Sequence, residues 1–251
     1  MRRSTPKTPW LHALRSDARQ RLLCLPFAGG GAAAFAPWVR QLPPDLELCP
    51  VLLPGREGRL SERPSEDMDA LIEAMAPGLA AALDRPYSLL GYSLGATVAY
   101  ELARALRRRG YPPPRRLFVV SRQAPRYGEA EPIAGLPRDA FVAALQRRYN
   151  AIPAQVLAER ELMDLFVPIL RADFALLERY RHESGAPIES PITAFFGSRD
   201  ATLSRARVAA WAECTSAEFE VVEHDASHFF HQDPRLIRDV IARLREPELL
   251  R

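Results

Sequence analysis

The chain has 251 residues, 47% of them hydrophobic and 26% charged, enough to bury the core of one large domain. A formal net charge of only +3, spread along the chain, argues against a nucleic-acid partner, and no run approaches the roughly 18 to 20 apolar residues of a membrane span. Residues 1–20 lack the apolar core of a signal peptide, so a cytoplasmic protein is expected, with Cys24, Cys49 and Cys214 as buried thiols and no disulfide framework or zinc site.

In chain order, apolar runs bounded by proline and glycine predict six strands with helical patterns between most of them. "RLLCLPF" (21–27) and "LELCPVLLPG" (46–55) are the first two strands. Several runs lack alternation, as expected when both faces of a parallel sheet are covered. Residues 69–83 predict a helix that Pro77 and Gly78 kink or split. "YSLLG" (87–91) is the third strand, and in the following helix, Gly95 to Arg109, Val98, Leu102, Ala105 and Leu106 share one face. Arg107, Arg108 and Arg109 close that helix as solvated cations at its C-terminus. "RRLFVVS" (115–121), "PITAFFG" (191–197) and "EFEVVEH" (218–224) are the remaining strands. A helix over 204–213 takes Ser204 as N-cap, and the last, "DPRLIRDVIARL", takes Asp233 as N-cap with Pro234 at its first position. Residues 1–18 are expected to be poorly ordered.

Alternating strands and helices define an α/β class, with a mainly parallel sheet covered by helices on both faces. About 70 residues separate the strand ending near Ser121 from the one starting near Ile192, where a crossover needs about a dozen. The excess holds two helical patterns, 138–149 and 159–180, the second interrupted by Pro168. Extra helices after a sheet strand commonly cap the strands' C-terminal edge, where ligands bind. Residues 126–188 are therefore expected to form a helical lid inserted in a single domain spanning 1–251.

Gly91-Tyr92-Ser93-Leu94-Gly95 matches GxSxG between a strand and a helix, the setting of a nucleophile elbow. A serine needs a base, itself oriented by a carboxylate, and in this topology the partners follow in the order Ser, Asp or Glu, His. Asp200 falls on the loop after "TAFFG" and His228 on the loop after "EFEVVEHD", so Ser93, Asp200 and His228 are the expected catalytic triad. His224 and His231 are read as structural or rim residues. The oxyanion donors are expected to be the backbone N–H of Leu94 and that of Ala28, in the glycine-rich loop "PFAGGGAAAF" (26–35).

The chain resembles the stand-alone type II thioesterases of the α/β-hydrolase superfamily, the editing enzymes of polyketide and nonribosomal peptide biosynthesis. The resemblance runs from about Leu22 to Leu244 through "PFAGGGA", "LPGREGR" (53–59), "GYSLGA", "AYELARALRRRG", "SRQAP" (121–125), "LRADFALLERY" (170–180), "FFGSRDA" and "SHFF". It implies an α/β-hydrolase fold and hydrolysis of acyl groups from the phosphopantetheine arm of acyl or peptidyl carrier proteins, with the triad on Ser93, Asp200 and His228 and the oxyanion donors on Ala28 and Leu94. Tyr92 stands where the family usually has histidine, Ala226-Ser227 replaces its glycine pair, and Phe27 replaces a frequently polar residue. Phe27, Gly29 and Tyr92 are the expected substrate-binding residues.

No metal or organic cofactor is called for, and a monomer without nucleic-acid or membrane partners is expected. Arg122, Arg126, Arg147 and Arg148, near or in the lid, suggest a rim for an acidic carrier. Two other readings stay open on the residues alone: a generic carboxylesterase or lipase-like serine hydrolase, and a non-catalytic carrier-binding protein of the same fold.

Overall fold

All six apolar runs are strands: β1 (Gln20–Leu25), β2 (Leu46–Pro50), β3 (Tyr87–Tyr92), β4 (Leu117–Val120), β5 (Ile192–Gly197) and β6 (Phe219–His224). The computed structural model describes residues 8–12, 14, 17–129, 131–150 and 152–246. Among these, the strands form one sheet in the order β2-β1-β3-β4-β5-β6, with every neighbouring pair parallel. The helices are α1 (Met68–Gly78), α2 (Leu94–Arg108), α3 (Arg138–Tyr149), α4 (Ala154–Ala158), α5 (Arg160–Arg179), α6 (Arg205–Ala209) and α7 (Pro234–Leu244).

Successive strand side chains point to opposite faces, and both faces are apolar. Leu23, Leu25, Leu89, Leu117, Val119 and Ile192 pack with α1, α2 and Trp211. Leu22, Cys24, Leu90, Phe118, Val120 and Phe195 face the other way, onto Phe35, Trp38 and α7. Trp38 and Trp211 are fully buried, one on each face. Burial of each large apolar side chain contributes about 1.5–3 kcal/mol, which is what holds two helical layers to the sheet. The fold is that of an α/β hydrolase.

The strand order reverses beside β1, which lies between β2 and β3. The segment after β1 turns to the α7 face, as a 3₁₀ stretch Ala32–Trp38 burying Phe35 and Trp38, while α2, after β3, packs on the opposite face. Chain segments thus part on either side of the β1 and β3 C-terminal ends. This parting opens the crevice where open parallel sheets bind ligands.

Local chemistry sets most boundaries. Asp67 caps α1 by accepting from Ala70 N–H, Ser204 caps α6 through Arg207 N–H, and Asp233 caps α7 through Arg235 N–H. The helix predicted over 69–83 ends at Gly78 and resumes only as a 3₁₀ turn, Ala80–Ala82. The helix predicted over 204–213 is α-helical to Ala209 and 3₁₀ from Ala210 to Cys214. Pro168 interrupts nothing, because α5 runs continuously through it. Burial of Val167, Ile169 and Leu170 beside it outweighs a local cost of about 3 kcal/mol. Residues 126–188 carry α3, α4 and α5, with a small core of Ile133, Phe141, Leu145, Met163, Val167 and Phe174.

The expectation of weak order before residue 19 fails where it can be judged. Trp10 and Leu11 are buried, the Leu52 N–H donates to the Trp10 carbonyl, and the Arg59 guanidinium lies 4.1 Å from the Trp10 ring centroid. Residues 1–7, 13, 15 and 16 lie outside the described residues. Among the described residues no helix is long and apolar enough to cross a membrane, and Cys24, Cys49 and Cys214 are free buried thiols.

Candidate active site

Ser93 stands between the end of β3 and the start of α2 with φ +51°, a conformation that strains a residue with a side chain by about 1–3 kcal/mol. Its N–H donates to the Val120 carbonyl, so the strain is held by the neighbouring strand. The glycines on either side serve close approach. A Cβ at Gly91 would stand 2.5 Å from the Ala96 nitrogen, and one at Gly95 would stand 2.6 Å from the Leu25 carbonyl carbon and 2.7 Å from the Pro26 oxygen. Bare backbone at both positions lets β3, α2 and the end of β1 crowd together and leaves the serine half-buried at the crevice.

The structure brings Ser93, His228 and Asp200 into one chain of hydrogen bonds. His228 Nδ1 is 2.6 Å from Asp200 Oδ2, and His228 Nε2 is 3.1 Å from Ser93 Oγ. A carboxylate only accepts, so Nδ1 carries the proton and Nε2 is left to accept from the serine hydroxyl. The other carboxylate oxygen accepts from Thr202 N–H at 3.0 Å and from Thr202 Oγ at 2.6 Å. Burial alone would raise the Asp200 carboxyl, but His228 and Thr202 hold it below the usual carboxylate range. The two loops are tied together as well, since Ser198 N–H donates to His224 O and Arg199 N–H to Ala226 O.

In the loop after β1 four backbone donors over residues 29–33 are taken. Gly29 N–H donates to Asp173 Oδ2 at 2.7 Å, Gly30 N–H to Phe27 O at 2.8 Å, and the N–H groups of Ala32 and Ala33 to the Glu57 carboxylate at 2.9 and 3.0 Å. The N–H groups of Ala28 and Leu94 have no acceptor among the described residues. Arg56 completes the cradle, donating to Gly30 O at 3.1 Å and pairing with both oxygens of Asp173 at 2.7 and 2.9 Å. This buried pair joins the loop containing Arg56 and the loop after β1 to α5 of the insertion. From the same insertion Tyr149, at the end of α3, lays its ring 4.8 Å from that of His228.

The remaining expected residues divide. Phe27 is partly exposed, in edge contact with Phe229 and Tyr92, and Gly29, at φ +73°, sits under Leu170 of α5. Tyr92 does not line the site as a substrate-binding residue. Its side chain points into the core, fully buried, because β3 alternation directs it to the α7 face while Ser93 turns outward. Arg122 is no part of an exposed rim either: it is buried, bonded to Thr97 and Glu129. Arg126 is paired with Glu213 and Arg148 with Glu131, whereas Arg147 is exposed. His224 and His231 lie away from the hydroxyl, each with its pKa lowered by burial. Among the described residues no cluster of three or more His, Cys, Asp or Glu is placed to hold a metal ion.

Sequence reasoning missed Arg56, Glu57, Tyr149, Asp173 and Thr202. Only Thr202 carried a local signal, a hydroxyl residue two positions after an aspartate that can fold back on it. The others act across 24 to 144 positions of sequence separation, and nothing in their neighbourhoods announces a partner.

The chain is similar to known thioesterases. The family model described as "Thioesterase domain" matches residues 20–244. The gramicidin S biosynthesis protein GrsT of Aneurinibacillus migulanus is 38% identical over 218 residues, covering 86% of this chain and 85% of that protein. Among solved structures, RedJ, a thioesterase from the prodiginine biosynthetic pathway in Streptomyces coelicolor, superposes with a TM-score of 0.83 at 36% identity, covering 90% of this chain and 85% of RedJ. BorB, described as the type II thioesterase from the borrelidin biosynthetic cluster, gives a TM-score of 0.84 at 32% identity over 94% of this chain and 98% of its own.

Proposed function

The chain belongs to the thioesterase family, and from that membership we propose that it is a type II thioesterase that hydrolyses acyl thioesters on the phosphopantetheine arm of carrier proteins. Ser93 is the nucleophile, His228 the base and Asp200 the orienting carboxylate. The observation that carries this reading is the run of hydrogen bonds from Ser93 Oγ to His228 Nε2 at 3.1 Å and from His228 Nδ1 to Asp200 Oδ2 at 2.6 Å. The pathway assignment draws on the gramicidin S, prodiginine and borrelidin relatives.

In the first half-reaction the Ser93 hydroxyl loses its proton to His228 Nε2 as its oxygen bonds the thioester carbonyl carbon. The N–H groups of Ala28 and Leu94, free of protein acceptors, hold the oxyanion that forms. The C–S bond then breaks and the imidazolium returns the proton to the pantetheine sulfur. A thiol with a pKa of about 8.5 leaves more readily than an amine, which suits a slow editing reaction. In the second half-reaction His228 takes a proton from water, the hydroxide oxygen bonds the acyl carbon, and the free acid leaves as Ser93 recovers its proton. Asp200 keeps the imidazole in the one tautomer that can accept from serine. Residues 126–188 act as a lid, with Tyr149 over the imidazole and α5 above the Gly29 turn, so the acyl chain is received between insertion and sheet.

The test is a comparison of acyl-carrier and acyl-N-acetylcysteamine thioesters with nitrophenyl esters of the same acyl groups, under matched conditions. Preference for the thioesters, strongest when carrier-bound, supports the reading. Equal or better turnover of the oxygen esters would make the chain a general esterase.

A further inference from the structure

Tyr92 immediately precedes the serine and yet faces away from it. Its hydroxyl lies 2.5 Å from the carbonyl oxygen of His228, to which it donates, and accepts from the N–H of Phe230 at 2.8 Å. Ser121, at the end of β4, donates to the same His228 carbonyl at 2.8 Å and lies 3.3 Å from the phenol oxygen. Ser121 is itself held at φ +51° and is almost fully buried. Around the Tyr92 ring stand Phe27, Phe230 and His231, with centroids 5.8, 6.0 and 5.6 Å away. The ring is thereby wedged, and its oxygen has one place to go.

We propose that Tyr92 is a positioning residue: its phenol pins the backbone of the His228 loop from beneath the site and, with Ser121, sets where the imidazole stands against Ser93. The proposal rests on the catalytic roles given to Ser93 and His228 above. Three features argue for it over simple core filling. The bond goes to the carbonyl of the base itself, not to some distant part of the loop. The side chain that makes it is covalently next to the nucleophile, so serine and imidazole are referenced to one short piece of β3. The tip both donates and accepts, joining Ser121 on the His228 C=O and satisfying the Phe230 N–H, which has no other acceptor among the described residues. Burial pushes the Tyr92 phenol well above its ordinary range, so it keeps the proton that it donates.

A base displaced by a fraction of an ångström loses alignment without losing substrate, so the defect belongs in turnover. The experiment uses the full chain as wild type, Tyr92→Phe, Ser121→Ala, the double variant, Ser93→Ala and a control, Tyr87→Phe. Tyr87 is a buried β3 tyrosine whose hydroxyl donates to Pro112 O at 2.6 Å, away from the site. Each is measured for kcat and KM on an acyl-N-acetylcysteamine thioester, for the rate of Ser93 labelling by a fluorophosphonate, and for its thermal midpoint. Tyr92→Phe is expected to lower kcat and the labelling rate together by about tenfold with KM within about twofold, and Ser121→Ala to lower both by about threefold. Tyr87→Phe is expected to lose a comparable thermal midpoint with both rates within about twofold of wild type.

If Tyr92→Phe does not fold, the loss of about threefold in kcat and labelling expected of Ser121→Ala carries the test, and rates equal to wild type there overturn the proposal. Rates within about twofold of wild type in Tyr92→Phe, or a Tyr87→Phe loss as large as that of Tyr92→Phe, would overturn the proposal. Ser93→Ala separates the two levels. If it abolishes turnover while Tyr92→Phe is unchanged, only the strut is refuted; if it retains turnover within about tenfold, the triad reading falls and the strut with it.

Discussion

Replacing Asp173 by alanine is a severe perturbation for a residue that sequence reasoning passed over. The carboxylate side chain is 3% exposed, its Arg56 partner 6%, and it accepts three hydrogen bonds, two from Arg56 and one from Gly29. Without it the guanidinium stays buried, with only the Gly30 and Pro54 carbonyls for company, and the Gly29 N–H is left unpaired. Breaking a buried ion pair from one side costs about 3–5 kcal/mol, a large part of the 5–15 kcal/mol that holds a typical protein folded. In a chain of this size that is a fall in thermal midpoint of about 6–20 °C. The loop bearing Ala28 loosens with it, and kcat should drop at least about tenfold, less than the 10²–10³ of a deleted oxyanion donor. Urea unfolding followed by fluorescence measures the first quantity and steady-state thioester hydrolysis the second. The double variant Arg56→Leu, Asp173→Leu leaves no charge buried and should be more stable than Asp173→Ala. A cost for Asp173→Ala below about 1 kcal/mol, the range of exposed pairs, would refute the reasoning.

Gly95→Ala drives a Cβ into the Leu25 and Pro26 carbonyls; because backbone cannot give way as a side chain tip does, folded yield and Ser93 labelling should both fall at least about tenfold, and a normally active variant would contradict the packing argument. His182, His224 and His231 are each held below the ordinary histidine range, burial being the largest cause, so the unfolded chain binds protons more readily than the folded one below about pH 6.5. Stability should therefore fall as pH drops from 7 to 5, with Asp200 adding its own loss only below about pH 4. His231→Phe, which also removes a buried Nδ1 that has no partner among the described residues, should flatten that fall. A thermal midpoint that is level from pH 7 to 5 in the parent would contradict the assignment.

Six strands, and the places of Ser93, Asp200 and His228 at one sheet edge, were legible because their signals are local. An apolar run bounded by turn residues marks a strand wherever it lies, and Asp200 and His228 each follow such a run directly. A parallel sheet then gathers the strands' C-terminal ends, so a loop's place in sequence already tells which edge it occupies. What could not be read is whatever depends on two distant segments meeting. Tyr92 looked like a pocket residue beside a serine, and only the folded chain shows its hydroxyl meeting a carbonyl 136 residues away. Arg122 looked like surface charge until Thr97 and Glu129 closed around it. Pro168 read as a break because propensity is local, whereas the apolar contacts that keep α5 continuous come from elsewhere.

The central claim is that an acyl group passes through Ser93. Rapid mixing with an acyl-carrier thioester, acid quench and mass spectrometry of the peptide containing Ser93 tests it directly. The account predicts a transient peptide heavier by one acyl group, absent in Ser93→Ala, which should also have lost turnover by several orders of magnitude. Undiminished hydrolysis by Ser93→Ala, or an acyl adduct on another residue in the parent, would contradict it.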